Sequence, residues 1–193
     1  ASYKSEAEYC ILIYSEKKDN YLMNVGYIGE QLDLYLVSKN IGTLWFGFGR
    51  TKDKKYNGLD FVIMIAICKV EDESLFRKDM SEAKRKPIKD IWKGETLDVA
   101  EIARFAPSAC NTQPWFVENV DNVLTVYRYR NPRSRGIVQI FTARYYNRID
   151  IGIFLCVLEV CFAEKGIKFT RELFLDLGDK KTEYSKVCSY KLI

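Results

Sequence analysis

The chain has 193 residues, 48% of them apolar and 29% charged, and carries a net charge of only +4 from 30 basic and 26 acidic side chains. Such a chain can bury the core of one sizeable globular domain or of two intertwined halves, and its near-neutral balance calls for no nucleic acid while leaving room for an anionic cofactor. Histidine is absent, which excludes Ser-His-Asp triads, H-E-x-x-H zinc sites and imidazole acid–base chemistry.

The first residues are polar and no apolar run approaches membrane-spanning length, so no membrane segment is expected. The opening without methionine leaves room for an upstream segment. The six cysteines form no C-x-x-C pair. Cys10, Cys68, Cys156 and Cys161 lie inside apolar runs and read as reduced core thiols, which fits a reducing cytoplasm.

In chain order, Tyr9 to Ser15 is a β-rich run closed by the polar stretch from Glu16 to Asn20, predicting a strand and a turn. Asn20 is placed to cap the helix that follows. From Tyr21 to Asn40 apolar residues recur at Leu22, Val25, Ile28, Leu32, Tyr35 and Leu36, with Leu34 and Val37 widening the stripe. That spacing predicts a helix buried on several sides. Gly42, Gly47 and Gly49 then punctuate a stretch holding Trp45, Phe46 and Phe48, either an aromatic-plugged loop or backbone brought close to a ligand.

Arg50 to Lys55 reads as a solvated turn, and Asp60 to Val70 as a central strand. Residues 71–86 are highly charged and read as a surface linker, with Pro87 in the first turn of a short helix through Trp92. The basic run Lys84 to Lys86 by itself reads as a solvated face. A helix from Glu95 or Thr96 to Ala106 is followed by a loop. Trp115 to Asn119 and Val123 to Arg128 then form a hairpin around Asp121-Asn122. Arg128 to Arg135 holds four arginines beside Tyr129 and Pro132. It reads as a solvated loop, with a phosphate contact or single-stranded nucleic acid as the other options. Asn147 to Ile167 is a second long apolar helix, and Phe169 to Leu177 a closing strand.

The loop Ala106-Pro107-Ser108-Ala109-Cys110-Asn111-Thr112-Gln113-Pro114-Trp115 concentrates polar chemistry. Pro107 and Pro114 pin its two ends in extended geometry. Asn111 and Gln113 each donate and accept. They can serve a rigid helix-to-strand connector by bonding local backbone, or they can match the polar edge of a flat heterocycle. Cys110 lies in the same loop, but no histidine exists to activate it as a nucleophile.

One shift of the sequence aligns Asn24-Val25-Gly26 with Asp150-Ile151-Gly152, Leu32-Asp33 with Leu158-Glu159, and Lys39 and Ile41 with Lys165 and Ile167. Each copy follows a β-rich run. The period is too long for a solenoid, so a duplicated strand–helix module is expected, with halves of about 1–94 and 95–193 in one domain. A cleft between such halves is a common place for a ligand.

Three segments resemble the FMN-dependent nitroreductase superfamily. APSACNTQPW, from Ala106 to Trp115, is similar to its APSAxNxQPW signature. Asn24 to Gly47 is similar to its long central helix followed by a G-[LI]-G-T-x-W-x-G turn. Lys84-Arg85-Lys86-Pro87 stands where the family carries basic residues for the flavin phosphate. The order of the segments resembles a subgroup with rearranged half-motifs, and the R-R-S-x-R phosphate segment has no counterpart before Tyr9.

The resemblance implies an α+β fold: a nitroreductase-like αβα sandwich with a mostly antiparallel central sheet and long buried central helices. It implies a homodimer binding FMN at its interface, reduced by NAD(P)H and reoxidised by a nitroaromatic, quinone or flavin acceptor. On this reading Asn111 and Gln113 hold the flavin edge, with Ser108, Pro114 and Trp115 completing their segment. Lys84, Arg85 and Lys86 hold the phosphate, and Gly42, Thr43 and Leu44 bring backbone amides towards the ring. The flavin carries the electrons, so no catalytic side chain is required. The alternative is a flavin- or nucleotide-binding protein of the same fold without reductase turnover.

Overall fold

A computed structural model describes residues 7–129, 137–176 and 183–193. The fold is α+β, and its strands divide into two sheets. The first sheet is built around β4 (Leu59–Lys69), which pairs antiparallel with β1 (Tyr9–Ser15) on one side and β2 (Ile41–Trp45) on the other. The short β3 (Lys55–Tyr56) pairs with the start of β4. Val62 to Ala66 of β4 are buried without a break, as a strand covered on both faces requires. Helix α1 (Tyr21–Val37) joins β1 to β2. The glycine-marked stretch from Ile41 to Trp45 is thus an edge strand rather than a loop.

The second sheet runs β5-β6-β7-β9-β8. Pro87 opens α2 (Ile88–Ile91), which passes directly into β5 (Trp92–Gly94). The next helix, α3, is confined to Val99–Ala103, shorter than the apolar run implies. β6 (Trp115–Val120) and β7 (Val123–Tyr129) form the expected hairpin. Asp121 and Asn122 have φ of 50° and 61°; two left-handed turn residues match the twist of the strands they join. Helix α4 (Ile137–Glu164) begins well before Asn147. β8 (Phe169–Leu173) follows, and β9 (Tyr184–Leu192), which periodicity does not reveal, inserts between β7 and β8. The β5–β6 pair is parallel and all other pairs are antiparallel.

Helices α1 and α4 pack on one another, α1 carrying the first sheet and α4 the second. Trp115 of β6 is fully buried and stacks on Phe154 of α4, with ring centroids 4.8 Å apart. Near the C-terminal end of α4, Tyr190 meets Phe162 and Phe169 edge-to-face, and those two rings are tilted to one another. Among the described residues no helix is long and apolar enough to cross a membrane.

Two polar residues differ from their expected roles. Asn20 stands at the N-cap position of α1, but its side chain does not cap the helix: it takes φ 57°, its amide nitrogen donates to the Phe174 carbonyl at 3.0 Å, and its side-chain oxygen accepts from the Asp176 N–H. Arg128, the last residue of the expected hairpin and the first of the expected solvated loop, lies in β7, where it is buried and grips Asp176 through Nε at 2.7 Å and Nη2 at 2.9 Å. Arg130, Arg133 and Arg135 lie outside the described residues.

Candidate functional site

A cleft of about 570 Å³ opens where the two helices, the first sheet and the proline-bracketed loop meet. From α1 come Glu30 and Asp33. The end of β2 and the turn after it supply Thr43, Leu44, Trp45, Phe46 and Phe48. Phe105, Ser108, Ala109, Cys110 and Thr112 come from the loop, and Tyr146, Asn147 and Asp150 from α4. Arg77 and Arg85 stand on its linker side. Volume and lining are in the range of small-molecule sites, with aromatic walls and a few converging polar groups.

The loop's geometry is imposed by its partners. Cys110, Asn111 and Gln113 all have left-handed backbones, with φ of 51°, 54° and 46°, a conformation that costs non-glycine residues free energy and persists only when the surroundings fix it. Ser108 Oγ accepts from Gln113 N–H at 3.0 Å, and Asp150 Oδ1 accepts from Ala109 N–H at 3.0 Å. Asn111 Nδ2 donates to the Lys84 carbonyl at 2.8 Å, and its Oδ1 accepts from Arg85 at 3.0 Å and from Gln113 Nε2 at 3.1 Å. Gln113 Oε1 accepts from Lys86 N–H at 2.7 Å. The two amides therefore bond each other and the linker, and neither lines the cleft.

Of the residues expected at the site, Ser108, Thr43, Leu44 and Arg85 line the cleft. The others lie elsewhere. Pro114 is buried, and Trp115 belongs to the core beneath the loop. A side chain at Gly42 would point at Val70 and Cys68 on the far side of β2. Lys84 is exposed, and Lys86 Nζ is turned back onto the Thr112 and Gln113 carbonyls, each at 2.9 Å. Arg85 donates to the carbonyls of Lys84, Phe105 and Ala106, fastening the linker to the loop. Burial, then the neighbouring Arg77, lowers the pKa of its guanidinium.

The acidic side of the cleft was not foreseen. Burial pushes the Glu30 carboxyl up to about 8, with Asp33 adding to the rise and the Trp45 indole N–H, at 3.2 Å, opposing it. Burial likewise raises Asp33, and it carries Asp150 up to about 8 against the Ala109 N–H and the Thr112 hydroxyl. Asp150 Oδ2, Asn147 Nδ2 and Asp33 Oδ1 are buried without a hydrogen-bond partner, although such atoms are nearly always paired in folded proteins. The available signal was polar residues inside otherwise apolar helices, which are informative because buried polar groups need a reason. Tyr146 closes the floor by donating its hydroxyl to the Gly47 carbonyl.

Comparison with known proteins places the chain. The family model described as "Putative TM nitroreductase" matches residues 2–161. The chain belongs to this nitroreductase family. The crystal structure of a "putative nitroreductase" from Thermotoga maritima superposes with a TM-score of 0.61 at 19% identity, over 95% of this chain and 70% of that one. At that identity the likeness is one of fold. No curated protein matches the chain. In this nitroreductase-family chain the Asn24–Gly47 and Ala106–Trp115 segments, far apart in sequence, both contribute to the lining of one cleft.

Proposed function

We propose that the protein is an FMN-dependent oxidoreductase of nitroreductase type that reduces nitroaromatic, quinone or flavin acceptors with NAD(P)H. The observation that carries this reading is the convergence of the two motif-bearing segments on an aromatic-walled cleft of about 570 Å³. Its residues fit a flavin. Trp45, Phe46, Phe48 and Phe105 offer flat apolar surface to a ring, and the buried unpaired atoms of Asn147 and Asp150 call for a polar ligand edge. Arg77 is exposed at the cleft and makes no hydrogen bond or ion pair with described residues, which suits the phosphate. Arg85 stands beside it as an anchor for the loop.

Ser108, Thr43 and Leu44 shape the walls, while Asn111, Gln113 and Lys86 hold the loop at the cleft mouth. The flavin, when bound, supplies the electron transfer, so the protein has only to bind, orient and shield it. We also read the chain as two related halves of one domain, about 1–94 and 95–193, working as a homodimer in a reducing cytoplasm. Neither nucleic acid nor membrane has a part in this reading.

Protein purified and offered FMN is expected to turn yellow and to keep its flavin absorption through desalting. Colourless protein with no measurable FMN affinity rejects the proposal. Steady oxidation of NADH in the presence of FMN then separates turnover from binding alone.

A further inference from the structure

Three buried polar atoms at the cleft lack partners, and two of them share a helix face. Asn147 and Asp150 lie one turn apart on α4, are 0% and 3% exposed, and line the same cleft. Residues so spaced have neighbouring side chains. Each has one polar atom already committed: Asn147 Oδ1 accepts from the Thr112 hydroxyl at 3.3 Å, and Asp150 Oδ1 accepts from Ala109 N–H at 3.0 Å. The remaining Nδ2 and Oδ2 meet no hydrogen-bond partner: the Thr112 hydroxyl lies near enough to Asp150 to oppose the rise of its pKa, but its one proton goes to Asn147. A buried polar atom left unpaired is costly, so two side by side at a cleft call for a ligand that pairs both. The amides of Asn111 and Gln113, by contrast, are engaged with each other and with the linker, and neither lines the cleft.

Resting on the reading of the cleft as a flavin site, we propose that Asn147 and Asp150, rather than Asn111 and Gln113, read the polar edge of the bound ring, as two donors facing a carbonyl oxygen and the ring nitrogen beside it. Asn147 Nδ2 is a donor whatever the pH. Asp150 Oδ2 donates while its carboxyl is protonated, and burial keeps it so up to about 8. Ala109 N–H and Thr112 face Asp150 from the loop. The other titratable or charged groups at the cleft are Glu30 and Asp33 of α1, Arg77 and Arg85 of the linker, Cys110 of the loop and Tyr146 of α4 itself.

The test is FMN titrated into flavin-free protein between pH 7 and 9, followed by quenching of flavin fluorescence, with folding checked by circular dichroism. The native chain is expected to lose affinity as pH rises through about 8. Asn147→Leu should bind about tenfold more weakly at pH 7. Asp150→Asn keeps an oxygen for Ala109 and presents an N–H at every pH, so it should bind FMN at pH 7 as the native chain does, with a flat profile. Glu30→Gln, which removes a carboxyl titrating over the same range, should leave the fall with pH in place. Undiminished binding by Asn147→Leu, or a pH dependence that survives in Asp150→Asn or vanishes in Glu30→Gln, overturns the assignment while leaving the flavin site standing. A native chain that binds no FMN overturns both.

Discussion

Gly26 of α1 and Gly152 of α4 make the same contact from opposite sides. A Cβ at Gly26 would fall on the carbonyl oxygen of Ile149, and one at Gly152 on the carbonyl oxygen of Met23. The sequence shift that superposes Gly26 on Gly152 also carries Met23 onto Ile149, so the two helices meet as if related by a two-fold axis. Close backbone approach brings Ile149 and Asp150 near the loop and the cleft, and it offsets the entropic cost of glycine within a helix.

In an open helix Gly→Ala would add roughly 1 kcal/mol. At Gly26 or Gly152 the added methyl meets rigid backbone, so each alanine variant is expected to lose about 1–3 kcal/mol through overpacking. Urea denaturation measures this, and a variant as stable as the native chain would mean that the helices are further apart.

The Arg128–Asp176 pair is buried, and Arg148 and Ser185 add contacts to Asp176 at 3.1 and 3.0 Å. Burial pushes the Asp176 carboxyl up, but Arg128, Arg148 and Ser185 together hold it below its ordinary value. Asp176→Asn strands the Arg128 charge and should cost about 3–5 kcal/mol at pH 7. With the folded pKa lowered, the pair's stabilisation is present above the usual carboxylate range and lost as pH falls through the lower folded value. The gap between the native chain and Asp176→Asn should therefore close in acid. A gap that stays constant with pH would contradict the pairing.

Glu30 acts in the opposite sense. Burial pushes its carboxyl up to about 8 in the folded chain, against ~4.3 unfolded. Between those values the folded state holds a proton that the unfolded state has lost, so stability falls as pH rises. Glu30→Gln should remove one proton's worth of that slope, about 1.4 kcal/mol per pH unit at most, and leave the share due to Asp150. Denaturation midpoints at pH 5, 6, 7 and 8 decide it; parallel curves for the two proteins would refute a buried protonated Glu30.

Arg77 and Arg85 should separate cleanly. Arg77→Ala is expected to leave stability unchanged yet bind FMN roughly tenfold more weakly, with riboflavin binding little affected, because the loss is a charge-assisted phosphate contact. Arg85→Ala should instead lower the melting temperature, since four oxygens lose their donor. Equal losses for FMN and riboflavin in Arg77→Ala would remove the phosphate from that end of the cleft.

Much of this architecture was legible because the signals are local. The continuous apolar run of β4, the Asp121-Asn122 turn and the helical stripe of α1 each state their conformation within a few residues. β9 was hidden because its buried positions include Ser185, Cys188 and Ser189; its place between β7 and β8 comes from strands on either side rather than from its own pattern. The side-chain partners of Asn20 and Arg128 were hidden for a related reason, lying at residues 174–176, more than forty positions away.

The residue order alone was enough to locate a pinned, polar loop, to pair it with a distant glycine-marked segment through family resemblance, and to align the two helices that meet at glycine. Which polar atoms remain available for a ligand was settled by folding. The linker at Lys84 to Lys86 engages the amides of Asn111 and Gln113, while α4 delivers Asn147 and Asp150 to the cleft with one atom each unpaired. A sequence records every donor and acceptor, but hydrogen bonds form between groups about 3 Å apart in space, and only the packed chain decides which groups those are.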